Sequence, residues 1–176
     1  MRKIVSIVFI LLNLSFASAQ KLITRNGEIK FEASMPTFEE ISGTNNTASC
    51  IFDKSTGDIA VLALIKGFKF KSPLMEEHFN ENYMESGKFP KATFKGKVLN
   101  FDASKTSGTY DVEGDLTIHG VTKKIKSKVS FTNVNKKMSC SFSVKPQDYG
   151  IEIPSLVKNK IAQNIKIVLD FDLQAK

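Results

Sequence analysis

The sequence predicts an all-β fold, an antiparallel barrel of about eight strands with one helical insertion. Three observations carry this. From Gly27 onward apolar and polar residues alternate with a period of two in almost every segment, as strands with one buried face require. Helical spacing is convincing over one stretch, residues 73–84. The segment 109–131 holds two alternations that agree: Tyr110, Val112, Leu116 and Ile118 interleave with Asp111, Glu113 and Asp115, and Ile125, Val129 and Phe131 interleave with Lys124, Lys126 and Lys128. Folded about a two-residue loop at His119-Gly120, the hairpin sets Asp115 opposite Lys124, Glu113 opposite Lys126 and Asp111 opposite Lys128. One face is a ladder of opposite charges and the other is largely apolar. A sheet of this size exposes edges unless it closes, which favours a barrel over a sandwich.

Arg2 and Lys3 precede an apolar run from Ile4 to Phe16, followed by Ala17-Ser18-Ala19. This is the pattern of a secretory signal peptide cut between Ala19 and Gln20, and the run is short for a membrane span. The expected organisation is a leader over 1–19 and one domain over 20–176, exported to the periplasm or the exterior. In the domain, the first strand carries Ile29, Phe31 and Ala33 and ends near Pro36. A second follows over 47–53, and Lys54-Ser55-Thr56-Gly57 supplies turn chemistry. The third, 59–65, is apolar on both sides and calls for cover on both faces. The helix is the candidate for its outer cover. Ser72 is placed to cap it, Pro73 takes the first helical position, Glu76 and Glu77 sit near its positive end, and Met75, Phe79 and Tyr83 form an apolar stripe. Further strands are expected over about 92–102, in the hairpin, over 137–145 and at the C-terminus, where Ile165, Ile167, Leu169, Phe171 and Leu173 share a face. A second short helix is expected over 155–163.

The formal net charge of +7 drops by two, to +5, when Arg2 and Lys3 leave with the leader. Lysines already answered by acids across the hairpin do not define a partner, and no basic aromatic motif supports nucleic-acid binding. Cys50 and Cys140 lie in short alternating runs. In an exported protein they form either a disulfide closing a long loop or two buried thiols in separate strands. The two histidines, His78 and His119, are far apart, and there is no His-Glu-x-x-His, no paired cysteine spacing and no acidic cluster. No catalytic or metal site and no cofactor is assigned. His78 falls on the helix stripe, His119 in the hairpin turn, and Asp148-Tyr149-Gly150-Ile151 reads as a strand-end turn with Tyr149 packed. What remains is apolar volume, with 14 Phe and no Trp.

The runs Lys88-Phe89-Pro90-Lys91-Ala92-Thr93-Phe94, then the fourteen-residue stretch from Tyr110 through Gly114-Asp115-Leu116-Thr117-Ile118-His119-Gly120-Val121-Thr122 to Lys123, then Asp148-Tyr149-Gly150-Ile151, resemble the signature segments of the YceI-like family in order and spacing. The resemblance covers about residues 27–173. It implies a lipocalin-like antiparallel barrel, exported and not an enzyme, whose hydrophobic cavity holds a polyisoprenoid, an isoprenoid quinone or another long-chain amphiphile such as a fatty-acyl lipid. The chain departs from the family in a shorter segment around 44–52 and in its two cysteines, which bear on the width of the mouth and the head group. Strand parity and the helix stripe then give the ligand-binding set. Phe31, Phe52, Leu62, Leu64, Phe68, Phe70, Phe94 and Phe101 are expected to line the tunnel, with Met75, Phe79 and Phe89 framing one end. The expected partner is a hydrophobic lipid, with transient membrane contact; the sequence fixes no oligomeric state. Two other readings stay open: an envelope interaction module with a filled barrel, and an enzyme acting on an isoprenoid lipid through Tyr149 and Asp148.

Overall fold

Eight antiparallel strands close on themselves, each pairing with its neighbours in the chain and the first pairing with both the second and the eighth. The computed structural model describes residues 21–35 and 40–176, so the leader expected over 1–19 lies outside the described residues. The strands are β1 Lys21–Ser34, β2 Ser42–Asp53, β3 Asp58–Leu64, β4 Lys91–Val98, β5 Gly108–Ile118, β6 Val121–Thr132, β7 Lys137–Val144 and β8 Ile161–Asp172. A two-residue strand, β9 Gln174–Ala175, pairs with Leu22 and Ile23. β1 serves three partners because it bends. Its register against β2 shifts between Thr24 and Gly27 and again between Gly27 and Ile29, and such bulges turn a strand from one neighbour to the next.

The hairpin of β5 and β6 has the expected register: Asp115 faces Lys124, Glu113 faces Lys126, and Asp111 faces Lys128. Their ion pairs measure 3.3, 3.0 and 2.9 Å. All are exposed, so they fix register more than they add stability. The loop works because His119 (φ 51°) and Gly120 (φ 76°) both take the left-handed conformation that a tight two-residue hairpin needs. Gly120 has a second reason to lack a side chain, since a Cβ there would lie 2.6 Å from the Phe89 ring.

One end of the barrel is solid. Phe52, Phe131 and Phe171 are fully buried, and the Phe52 ring packs against Phe101 and Phe131 at centroid distances of 4.8 and 4.9 Å. Phe101 and Phe131 close the triangle at 5.1 Å, with Tyr110 against Phe101 at the same distance. The other end carries the insertion between β3 and β4. This begins with a 3₁₀ turn, Ile65–Gly67, and continues as helix α1, Pro73–His78, which runs into a π-helical turn, Phe79–Tyr83. Among the described residues no helix is long and apolar enough to cross a membrane.

Three local expectations are corrected. α1 does not cover the outer face of β3, where Leu62 and Leu64 are left exposed, Leu64 by 55%. The insertion is instead drawn over the open end. Lys69 and Thr44 exchange backbone hydrogen bonds of 2.8 and 3.0 Å at the start of β2, and the buried Asn45 amide donates to the Leu64 carbonyl at 2.9 Å. Ser72 is the N-terminal cap by position, but its side chain makes no capping bond; its carbonyl accepts from the Glu76 amide. No second helix forms over 155–163. Turns held by Val157 and Lys160 amides lead into β8, whose first residue, Ile161, is already paired with Ser34.

Phe131 is fully buried in the solid end, so Phe131→Ala is expected to lower stability by about 3–5 kcal/mol. Urea unfolding followed by circular dichroism checks this, and a loss below about 1 kcal/mol would contradict a packed end.

Candidate functional site

Side chains that point inward change character along the barrel axis. At the solid end they are mostly phenylalanines. Through the middle they are smaller and often branched: Val61 and Ala63 on β3, Val112 and Leu116 on β5, Ile125 and Ser127 on β6, Cys140 on β7, Ile167 and Leu169 on β8. Strand spacing in a barrel is fixed, so small residues facing one another across the interior do not meet. They leave an apolar cavity of about 380 Å³. That size lies within the range of small-molecule sites.

Six of the residues expected to bind ligand line this cavity: Phe31, Phe68, Phe70, Met75, Phe79 and Phe94. Phe31 stacks on Phe79 at 5.3 Å, and Phe70 lies 5.0 Å from Phe79 and 5.7 Å from Phe31, so the insertion is held to the β1 wall by rings. Phe94 lies over the paired glycines Gly96 and Gly114, where a Cβ would come within 2.6 and 2.8 Å of its ring. The other five stand elsewhere. Phe52 and Phe101 belong to the solid end, Leu62 and Leu64 point outward from β3, and Phe89 packs on His119 at 4.4 Å. Leu62 and Leu64 fall out because β3 turns its odd-numbered residues inward, as the pairings of Val61 with Phe94 and Ala63 with Ala92 show. Sequence reasoning that favoured phenylalanine passed over the aliphatic wall, although strand parity marks it. It also passed over Ile151, Ile153 and Val157 in the β7–β8 connection, which has no period to read.

Apart from Ser127, the larger polar groups of the wall gather at the mouth. His78, Tyr83, Tyr149 and Lys160 border the cavity there. Burial pushes the phenols of Tyr83 and Tyr149 up from their ordinary value, with Asp148 adding to the effect on Tyr149. His119 joins three elements at this end. Its Nε2 is 2.8 Å from a Glu85 carboxylate oxygen at the end of the insertion, and its Nδ1 is 3.2 Å from the Tyr149 carbonyl. Both partners offer acceptor oxygens, so either ring nitrogen that carries a proton has one to donate to. Tyr149 sits in a 3₁₀ turn, Pro146–Tyr149, closed by Gly150 in the left-handed region.

The cysteines are free thiols. Cys50 on β2 and Cys140 on β7 lie on strands separated by β1 and β8. Cys140 lines the cavity and lies 3.5 Å from the Ser127 hydroxyl. Burial pushes its thiol up, partly offset by that contact. Burial alone pushes the Cys50 thiol up to about 12.

Comparison with known proteins places this geometry. The model of the YceI-like domain matches residues 21–173. A UPF0312 protein of Vibrio parahaemolyticus is 34% identical over 113 residues, 60% of this chain and 58% of that protein. The chain thus covers less than two thirds of that relative's length. Among solved structures, a polyisoprenoid binding domain from Saccharophagus degradans, implicated in plant cell wall breakdown, aligns with a TM-score of 0.75 at 15% identity, over 89% of this chain and 99% of that one. Burkholderia cenocepacia BcnA aligns with a TM-score of 0.68 at 15% identity, over 84% and 94% of the two chains. At such identities the structural likeness shows the fold alone.

Cys50, in the core beside the site, gives the fold a pH signature. Its folded pKa is raised above the ordinary 9.0, so the stability gained by holding it neutral is intact below pH 9.0 and is lost as pH rises toward about 12. The melting temperature of the wild type, measured with reductant present, is expected to fall more steeply across that interval than that of Cys50→Ala. Parallel curves would show that Cys50 is not held as a neutral buried thiol.

Proposed function

We propose a function from one premise: the chain belongs to the YceI-like domain family. The reading is an exported, non-catalytic binding protein that encloses the hydrophobic chain of a polyisoprenoid, an isoprenoid quinone or an acyl lipid. Export rests on the leader pattern over 1–19. The observation that carries the binding reading is the unfilled apolar interior of about 380 Å³ inside a closed barrel. A barrel that acted only through its surface would have no use for that volume. The description of the Saccharophagus neighbour as a polyisoprenoid binding domain supports the same ligand class. Binding is favoured over turnover because His119 already has both ring nitrogens engaged by Glu85 and Tyr149, and the Tyr149 phenol is pushed away from easy ionisation.

The driving force is burial. Each methylene moved from water into the cavity contributes about 0.8 kcal/mol, while His78, Tyr83 and Lys160 at the mouth offer hydrogen bonds or charge to a head group. A water-insoluble chain must come from a lipid surface, and the mouth end presents apolar side chains to meet one. Leu74 at the start of α1 is 58% exposed, and Leu156 in the β7–β8 connection is 89% exposed with Lys158 and Lys160 close by in sequence. We assign these residues to transient membrane contact.

Two measurements test this function. Native mass spectrometry of protein purified from cells, with organic extraction, is expected to show one long-chain lipid per protein. Phe70→Asp, which sets a charge against the cavity wall, should leave the far-ultraviolet spectrum intact and remove the lipid. An empty wild-type protein would overturn the reading. For membrane contact, the double variant Leu74→Glu, Leu156→Glu should slow chain transfer from anionic vesicles at least several-fold while leaving equilibrium binding of a soluble short-chain fatty acid unchanged. Unchanged transfer would remove these leucines from the route.

A further inference from the structure

The seam between β6 and β7 carries an inference that rests on the hydrophobic-chain reading above. Antiparallel strands hold together through a ladder of backbone hydrogen bonds, and a stretch without its ladder is an open edge. β6 and β7 pair from Thr132 with Lys137 up to Val129 with Cys140, and there their register stops. Neither strand ends at that point. β6 stays on β5 back to Val121, which faces Ile118, and β7 stays on β8 as far as Val144, which faces Ile165. Residues 121–128 and 141–144 therefore keep one neighbour and lack the other. At the fork a side chain stands in for the ladder, the Ser127 hydroxyl donating to the Ser141 carbonyl at 3.3 Å. The β2–β3 register also stops short of the mouth, at Ser49 with Leu62, but there the Asn45 amide and the exchange between Lys69 and Thr44 close the gap. The β6–β7 seam is crossed again only at the mouth, where Lys123 meets Asp148 at 3.7 Å and the His119 ring meets the Tyr149 carbonyl at 3.2 Å.

We propose that this stretch is a lateral portal, a slit in the barrel wall with its fork at Ser127 and its clasp at Lys123 and Asp148, through which a hydrophobic chain passes sideways into the cavity. Ile125 on one edge and Phe142 and Val144 on the other line the cavity, so the slit opens directly onto apolar wall. Its outer side is polar, with Lys124, Lys126 and Ser143 exposed. A chain and its head group thus meet surfaces that suit each. Parting the edges breaks no ladder; it releases the Ser127 bond, an exposed ion pair of the weak kind, and the His119 contact. Entry through the end of the barrel instead has to lift the insertion off Asn45 and off the stacked rings of Phe31 and Phe79. The side route leaves both in place.

Two measurements test the portal. Amides of β6 alternate between its two neighbours, so those within 122–128 that point away from β5 are expected to exchange hydrogen at least about tenfold faster than the β7-paired amides of 129–132. Equal protection would mean a closed ladder and would overturn the portal. Lys126 and Ser143 would face each other if the register of Val129 with Cys140 continued, and both are exposed. In a Cys140→Ser background, Lys126→Cys with Ser143→Cys can be bridged from outside by a short bis-maleimide. Uptake of a fluorescent conjugated polyene fatty acid, followed by stopped flow, is expected to slow at least about tenfold on bridging, with equilibrium affinity unchanged. The same bridge between Ser141→Cys and Val168→Cys, already paired on β7 and β8, should leave uptake unaltered. An uptake rate that the first bridge leaves in place, or that both bridges slow alike, overturns the portal while leaving lipid binding intact. If the first bridge does not form, as the mass will show, hydrogen exchange decides alone. Failure of the wild-type protein to take up the acid overturns the binding reading itself.

Discussion

Closure of the sheet is the constraint on which the rest of this structure depends. Once β1 pairs with both β2 and β8, the distance across the interior is set by strand number and tilt and no longer by the side chains. Side-chain volume then decides what the interior becomes. Where Phe52, Phe101 and Phe131 point inward, the rings meet, and with the buried Phe171 they make this part of the barrel a core. Where Val61, Ala63, Ser127 and Cys140 point inward, nothing meets across the middle and the barrel is a container. The same backbone thus serves two purposes, and the boundary between them is a change in residue size along each strand.

The open end is organised by polar contacts that the interior could not hold. Asn45, fully buried, donates to the Leu64 carbonyl and accepts from the Thr47 amide and hydroxyl, so its amide is well satisfied where the insertion leaves β3. A Cβ on Gly67 would lie 2.6 Å from that amide, which explains a glycine at the turn. At the far end of the insertion His119 ties Glu85 to the Tyr149 carbonyl. Between these ends the insertion is held by the Lys71–Glu40 ion pair of 2.6 Å and by rings, Phe79 packing on Phe31, Phe68 and Phe70. The π-helical turn Phe79–Tyr83 falls in that segment.

Most of the wall was legible in the sequence, because strand parity is a strict code. The β5–β6 hairpin could be paired residue by residue from its charges, and the alternation of Ile165 through Leu173 identified the inner face of β8. β3 defeated the code because both of its faces are apolar, so Leu62 and Leu64 could be assigned inward only by preference for size. Their strand shows that an apolar outer face need not be covered. Phe52 points inward on β2 and Phe101 packs on it from beyond the end of β4, but parity says which face a residue takes and not how deep along the axis it lies. Depth depends on the stagger of all eight strands together. The placement of α1 was hidden for a similar reason: an amphipathic stripe tells that a helix is buried on one side, whereas the partner it buries against was chosen by Asn45, Thr44 and Lys69, distant in sequence from the stripe.

An apolar cavity of this size bears on stability as well as on binding. Side chains that line an unfilled apolar space lack the partner atoms they would have in a packed core. The barrel is supported by what surrounds the cavity: a ring-packed end, a closed circuit of paired strands, and an insertion tied down by polar contacts. A chain that fills the space recovers part of the missing contact, and by mass action a ligand that binds only the folded form raises its stability. The side chains nearest the cavity have no partner across it, whereas the solid end packs ring on ring, so cavity and core are separated along one axis of the same fold.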